Sequence, residues 1–576
     1  MIQIVKWLIS ITRHVLSPLF ISTICRILDQ FLGISLYLIS VWSIFKIYSF
    51  SQTDGPDYSF IFKVLIALVI IALSKAFLRY GEQFFGHYVA FKSLELLRRE
   101  LFAKLWPQAP AVMYKANSGD LLAVATKDID RIEVFFAHTF APAVSAIVVS
   151  ATAIGFGFYF TNSSVALVAL FFVFSSLVVV PLYGQRKIIS LQNEYISKRG
   201  VMAAHMTDSL QGINEIIGYG AENKRLDELD NLHKDILSSI SYTNTVFAAR
   251  RGINNFIWVI QIPILFITGI HTHAQIVNLV LFIVATIRLN EVLRGVEGFS
   301  TDLNASLACA KRLYEICNTE PIVSNDGEEV EQADSYGIKI NNLYFTYPGT
   351  EREVLKNINL NFAPNTWSCI VGSTGCGKST LMNLVQRFFE PKTGEILLNG
   401  KNINAISVDS LRTCVSLVTQ NTYLFNDTIL NNLRLANPNA SEEKIWNALR
   451  IACLDEEIKG FDLGLQTLVG EKGKSLSGGQ VQRLCLARAV LLNSKVLILD
   501  EFTAHLNTEL EEKVRSRIRK YLPNTTIIEI THRLDAIKDA DQVVVMDSGK
   551  VIEQENPSVL LHNEYSALNT LLRRGV

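Results

Sequence analysis

The sequence predicts two unlike parts in series: an all-α domain of six long apolar helices, then an α/β domain built around a phosphate-binding loop. Three observations predict it. The 576 residues are 49% hydrophobic and only 19% charged, where soluble chains average about 25% charged, and the mean hydropathy is +0.25. Apolar stretches free of Asp, Glu, Lys and Arg dominate the first 317 residues. Short strand-like runs alternate with polar helical segments and Gly-rich turns over 338–576.

Each helix can be counted against a bilayer, whose core of about 30 Å needs about 20 apolar residues. Residues 2–15 read as a short interfacial helix, so 1–15 is set apart as an entry element. Runs 31–50 and 61–73 flank the polar turn 51–57. Runs 134–160 and 161–185 lack charge and are separated at Asn162-Ser163-Ser164. Run 252–287 is too long for one span and splits at His271-Thr272-His273-Ala274-Gln275. The expected helices are 16–50, 58–104, 118–160, 164–211, 222–270 and 275–316 within a membrane domain of 16–317. They exceed a bilayer's need, so they are expected to project into water on one side.

Charge chooses that side. The three turns named hold no Lys or Arg. The opposite connections hold Lys92, Arg98, Arg99, Lys104, Lys115, Arg186, Lys187, Lys198, Arg199, Lys224 and Arg225. The positive-inside rule places those in the cytosol, and six spans return 338–576 there too. The expected location is the cytoplasmic (inner) membrane, multi-pass, with no cleavable signal peptide. The acidic, turn-rich stretch 318–337 reads as a linker.

Composition also excludes. Lys plus Arg is 54 and Asp plus Glu is 54, so no basic excess argues for nucleic acid as a partner. Disorder is excluded by the apolar content. The eight Cys fall at irregular spacings without C-x-x-C, which argues against a disulfide framework or zinc site and fits a reducing compartment.

The chemistry begins at 368–371, a buried-strand pattern running into Gly372-Ser373-Thr374-Gly375-Cys376-Gly377-Lys378-Ser379-Thr380 and then a helical segment. Strand, G-x-x-x-x-G-K-S loop and helix N-terminus together turn backbone N–H groups toward phosphate. Lys378 is positioned to reach the β- and γ-phosphates and Ser379 to ligate Mg²⁺. A second apolar strand, 496–499, ends in Asp500-Glu501. Two carboxylates there need a reason, because unpaired buried charge is costly. Mg²⁺ held by Asp500 and a water polarised by Glu501 supply one; with the phosphate loop present, an acidic pair capping the next helix is the weaker reading. Leu476-Ser477-Gly478-Gly479-Gln480 precedes an amphipathic helix and makes another anion seat.

At this point the sequence resembles an ABC transporter of the exporter-type half-transporter layout, in which six spans precede one ATPase domain. L-S-G-G-Q is that family's signature, and the motif order matches: phosphate loop, Gln420 in V-T-Q-N-T-Y-L-F, signature, Asp500-Glu501, and His532 in T-H-R-L. Tyr347 in F-T-Y-P matches the aromatic that stacks on adenine. The resemblance implies ATP and Mg²⁺ as cofactors, Gln420 sensing metal and water, and His532 contacting the γ-phosphate. It implies a second half-transporter, as homodimer or heterodimer, with Ser477 and Gly479 acting on the nucleotide of the other chain, and Gly478 and Gln480 within the same seat. Segments 106–115 and 211–220 would couple the ATPase domains to the membrane helices. One stretch departs: Phe502-Thr503-Ala504-His505-Leu506-Asn507 ends in Asn507 where the family usually has Asp, which weakens the expected communication between the two sites. Glu501 and His532 are intact, so the chain's own site is expected to hydrolyse ATP. Translation or repair ATPases share the motifs but not the six spans.

The small-molecule substrate is less legible. Ionisable residues within spans are functional candidates by default. Arg251, Asn254, Asn255, Trp258 and Gln261 follow helical spacing on helix five; Arg288, Asn290, Glu291, Arg294 and Glu297 cluster on helix six. The expected cavity is lined by Arg251, Asn254, Trp258, Gln261, Arg288 and Glu291. The competing reading is inter-helix bonding, such as Arg288 with Glu291. Arg26 with Asp29 reads as a structural pair, and Lys75, Arg79 and Glu82 admit the same reading. His271 and His273 read as solvated rather than ligating. The run 433–441 (L-R-L-A-N-P-N-A-S), Ser118-Gly119-Asp120-Leu121-Leu122 and Asp128-Ile129-Asp130 resemble the CydC side of CydDC-type exporters. Those are heterodimers linked to thiol export, haem and cytochrome bd assembly. Siderophore transporters of the same fold and lipid or multidrug exporters are the alternatives.

Overall fold

The computed structural model describes residues 2–53, 57–112, 118–136, 140–296, 299–331, 333–470, 473 and 475–573. Residues 54–56 of the turn 51–57, Lys115 and Glu297 lie outside them. The chain divides into two compact units, Met1–Trp106 with Ala116–Thr319, and Pro107–Lys115 with Glu320–Val576.

The first unit is helical. Among the described residues, six helices are long and apolar enough to cross a membrane: Arg13–Phe50, Tyr58–Gln108, Ala141–Phe160, Ser163–Ile188, Glu222–His271 and Ile276–Arg294, called spans one to six below. A short helix, Ile2–Ile11, precedes them, and its Trp7 ring meets Tyr314 edge-on at 5.4 Å. Three expected helices depart from a continuous α-helix. The third begins as Ser118–Ala123, passes through a π turn at Val124–Asp128 and continues as Ile129–Phe135; its span is described over Ala141–Phe160, with Pro142 in the first turn. The fourth breaks at Tyr183-Gly184, where Gly184 has φ +71°. Pro181 lies just before, and the chain resumes as Gln185–Gln211. The sixth ends at Arg294 and a separate helix runs Phe299–Cys317.

Charges in spans one and two correct the expected pairing. Arg26 and Asp29 do not bond each other. Arg26 reaches Glu82, which Arg79 also holds at 2.7 Å, while Asp29 takes Lys75 at 2.6 Å. A spacing of three puts Arg26 and Asp29 on one helix face. The second helix lies along that face, and pairing across it neutralises both buried carboxylates, Asp29 and Glu82.

The second unit holds two sheets. β1 (Ile338–Thr346), β2 (Glu353–Phe362), β4 (Thr393–Leu398) and β5 (Lys401–Asn402) form an antiparallel sheet in the order β2-β1-β4-β5. β3 (Trp367–Gly372), β6 (Val415–Val418), β7 (Val496–Asp500), β8 (Thr526–Ile530), β9 (Gln542–Asp547) and β10 (Lys550–Glu555) form the other, in the order β10-β9-β3-β8-β7-β6. All its pairings are parallel except β9 with β10. β3, β7 and β8 are buried at every position, as strands covered on both faces must be. Register aligns Ile370 with Ile530 and Ile530 with Asp500. The loops leaving β3, β7 and β8 therefore emerge side by side, where parallel sheets place their sites.

Candidate nucleotide site

The loop after β3 is shaped by backbone packing. A Cβ on Gly372 would lie 2.1 Å from the Met546 carbonyl oxygen, and one on Gly377, at φ +108°, would lie 2.6 Å from the Leu355 side chain. Only glycine permits both approaches. Thr374 and Gly375 form the exposed tip, while Cys376 is buried below it. Helix Lys378–Val385 starts at the loop's end. The buried Lys378 ammonium donates to the Gly372 carbonyl at 2.7 Å and to that of Ser373 at 3.1 Å. The Ser373 hydroxyl meets Asp547, and Thr380 meets the Tyr347 hydroxyl at 3.0 Å. The Tyr347 ring stands edge-on to Phe345 and Phe389.

Asp500 closes β7. Burial pushes its carboxyl above the usual range and the adjacent Glu501 charge adds to that; a Ser379 hydrogen bond, Lys378 and His532 oppose it. Glu501 follows at φ +46°, a conformation uncommon outside glycine and enriched at functional sites. Its N–H is anchored to the Ile530 carbonyl at 3.0 Å. One carboxylate oxygen accepts the Gln420 amide at 2.5 Å, and the other lies 3.1 Å from His532 Nε2. Residues from three loops, after β6, β7 and β8, thus converge on one carboxylate.

The signature turn is built differently. Ser477 caps helix Gly478–Leu491: its hydroxyl accepts from the Gln480 backbone N–H, and the Gln480 side-chain Oε1 accepts from the Ser477 N–H at 2.8 Å. This reciprocal cap satisfies two helix-end donors. The Gln480 amide donates to Glu457, which also pairs with Arg483 at 2.6 Å. The Gln480 side chain is therefore engaged inside the chain at both ends. Gly478 and Gly479 back onto His505, at 3.4 Å and 3.0 Å from where their Cβ atoms would sit. Asn507 caps helix Thr508–Tyr521 by accepting the Leu510 N–H at 2.9 Å, a role Asn and Asp fill equally well.

The expected membrane cavity is not one surface. Asn254, Trp258 and Gln261 are buried, while Arg251 and Glu291 are exposed. Asn254 accepts the Ser176 hydroxyl of span four at 3.0 Å. Trp258 packs with residues of spans three, four and six. Gln261 is 1% exposed, and neither end of its amide has a hydrogen-bond partner among the described residues. Arg288 pairs with Glu291 and lies 4.4 Å over the Tyr37 ring. Arg294 donates to Asn255. The cation on the packed face of span five is Arg250, which donates to the Tyr183 carbonyl at 2.9 and 2.6 Å. His271 and His273 are exposed, and no metal-holding group of His, Cys, Asp or Glu occurs among the described residues.

Sequence reasoning missed a buried ionic cluster behind the site: Glu511 and Arg515 on helix Thr508–Tyr521, and Glu529 within β8. The available signal was Glu529 itself, one charge inside the apolar run Thr526–Ile530.

Comparison with known proteins finds the same two-part layout. Residues 355–504 match the family model for the ABC transporter, and residues 11–289 match that for the ABC transporter transmembrane region. A probable ABC transporter ATP-binding/permease protein of Haemophilus influenzae is 32% identical over 492 residues, covering 85% of this chain and 89% of that one. The glutathione/L-cysteine transport system ATP-binding/permease protein CydC of Escherichia coli is 30% identical over 500 residues, covering 85% and 86%. The ATP-dependent lipid A-core flippase of Photobacterium profundum is 28% identical over 526 residues, covering 90% and 88%. The solved structure of a bacterial Atm1-family ABC exporter with ATP bound shares the fold, with a TM-score of 0.84 at 21% identity over 98% of each chain.

Proposed function

Because the chain belongs to the ABC transporters, membrane proteins whose ATPase domain drives transport, we propose that it is one half of a dimeric exporter that moves a small thiol compound or a related molecule out of the cytosol. The observation that carries the ATPase half of this reading is Glu501, held between Gln420 and His532 beside the phosphate loop. The thiol half is supported by likeness to the glutathione/L-cysteine transporter CydC over 85% of this chain. Likeness to lipid A-core flippases over 90% of the chain supports a lipid substrate as the second reading.

In the proposed mechanism the loop 372–380 receives the phosphates on backbone N–H groups, and Lys378 exchanges its carbonyl partners for the β- and γ-phosphates. The donor set of Ser379, Gln420 and the buried Asp500 is all oxygen, the chemistry a hard cation prefers. Mg²⁺ bound there would neutralise charge between the phosphates. Glu501 accepts hydrogen bonding from the attacking water and draws off its proton, a contribution of typically 10²–10⁴-fold. Gln420 and His532 fix its two oxygens, and His532 faces the γ-phosphate. Tyr347 supports adenine. This chain's Ser477 and Gly479 close on the nucleotide of the second chain, and the buttress of Gln480 and Glu457 holds that turn in shape.

ATPase activity of the reconstituted protein tests the substrate. Stimulation by reduced glutathione or cysteine is expected, with haem and siderophores tested alongside; stimulation by lipid alone would favour the second reading. Co-purification of a different half-transporter would establish a heterodimer. Orientation is tested by Ser163→Cys, expected to react with impermeant thiol reagents from outside intact cells, and Asn223→Cys, expected not to. Labelling only at Asn223→Cys reverses the topology. Native Cys309 and Cys317 interfere little, since burial pushes both thiols up to about 12 and the thiolate is the reactive form.

A further inference from the structure

Glu529 is 0% exposed in the middle of β8, where an unpaired charge would be costly. Arg515 answers it, donating to Oε1 through Nε at 3.2 Å and Nη2 at 2.6 Å. The Trp367 indole donates to Oε2 at 2.9 Å. The same Arg515 Nη2 lies 2.6 Å from Glu511 Oε1. Glu511 is 1% exposed. Its Oε1 also accepts the Thr503 hydroxyl at 3.2 Å, and its Oε2 faces Arg533 Nε at 3.5 Å.

The positions of those two partners matter. Thr503 is two residues past Glu501, and Arg533 is one residue past His532. One buried carboxylate therefore touches both loops whose side chains meet at 3.1 Å. Phe502, between Glu501 and Thr503, is buried with the Arg515 guanidinium 6.0 Å from its ring centre. Stability alone is a poor reason for such ions, because apolar residues of similar volume often serve as well or better. Directional bonds to two loops are what apolar residues lack.

We propose that Glu511, locked by Arg515 and Glu529, is a positioning residue for ATP hydrolysis: it sets loop 501–503 against loop 531–533 so that Glu501 and His532 stay in register. This rests on the reading that Glu501 and His532 carry hydrolysis. Small displacements of a reacting group reduce turnover steeply, up to about 100-fold for about 1 Å, while phosphate binding at loop 372–380 depends on different contacts.

The test uses the full-length transporter in lipid nanodiscs, reading kcat, KM for ATP and melting temperature for Thr503→Val, Thr503→Ser, Glu511→Gln and the Thr503→Val/Glu511→Gln double variant. Thr503→Val is close to isosteric and removes only the hydroxyl, so it remains informative where Glu511→Gln folds poorly. The expected result is a fall in kcat of about tenfold for Thr503→Val with KM and melting temperature unchanged, recovery in Thr503→Ser, and a double variant no slower than the worse single one. Unchanged kcat in Thr503→Val overturns the proposal. So does a kcat that falls only with the melting temperature and is not recovered by Ser. Glu501→Gln is measured in parallel: normal turnover there removes the underlying reading and the proposal with it, whereas lost turnover beside a silent Thr503→Val removes the positioning role alone.

Discussion

In the ATPase unit, Gln420, Glu501 and His532 leave three different strands and converge on one another, with Glu501 held at φ +46°. In the membrane unit, Arg26, Asp29, Lys75, Arg79 and Glu82 neutralise one another across two adjacent helices. Both regions bind carboxylates to several partners, but Asp29 and Glu82 are buried whereas Glu501 is half-buried and Gln420 exposed. The first concentrates partners on a single carboxylate in a strained backbone, leaving that group aimed at a reaction. The second distributes partners so that each carboxylate is answered, which is how a scaffold treats charge. Partner geometry, rather than charge itself, separates a site from a brace.

The sharpest way to break that contrast is Glu501→Gln. The amide keeps the size but cannot act as base, so ATP binding is retained and hydrolysis falls by about 100-fold or more, read as phosphate release against nucleotide affinity. Near-normal turnover would make the convergence ornamental. Next comes Glu82→Ala, which strands Arg26 and Arg79. Removing one partner of a buried pair costs about 3–5 kcal/mol, so melting temperature and yield fall, and basal and stimulated ATPase fall together. A stable Glu82→Ala protein with altered stimulation alone would move this cluster from brace to site. Smaller effects belong to Arg251→Ala and Glu291→Ala. Glu291 pairs with Arg288 on an exposed face, where such a pair contributes about 0–1 kcal/mol. Thermal stability is therefore expected to hold while substrate-stimulated ATPase changes several-fold; unchanged stimulation in both removes them from the transport path. The smallest effect is Asn507→Asp. Either residue caps the helix, so the melting temperature stays within the scatter of repeated scans; a clear rise would mean that Asn507 strains the cap.

The ATPase site was legible because phosphate binding is made by contiguous backbone, and contiguous backbone is visible as motif. The six spans were legible because a bilayer excludes charge over a fixed length. Helix breaks were harder to read. Pro181 and Gly184 marked the fourth, but an apolar run with polar flanks looks continuous by charge count. Arg250 and Arg251 both fit a helical repeat with Asn254, and only packing against span four selects Arg250. Partners such as Arg26 with Glu82 depend on how two helices slide past each other, which no local pattern encodes. Gln480 is different: Ser477-x-x-Gln480 is a legible capping box, overlooked because the signature offered a more specific role.

The break at Tyr183-Gly184 has a mechanical consequence. A helix interrupted in mid-course would ordinarily be a swivel, since the carbonyl freed there has lost its successor in the ladder. Arg250 takes that carbonyl with two N–H groups and reaches Gln185 on the far side at 3.1 Å. The joint is riveted to the neighbouring helix. The short helix Ile213–Gly218 joins the two long helices beyond that joint. Arg250 ties the two helices at the break itself, and Ser176 with Asn254 and His205 with Glu228, each at 3.0 Å, tie them on either side of it.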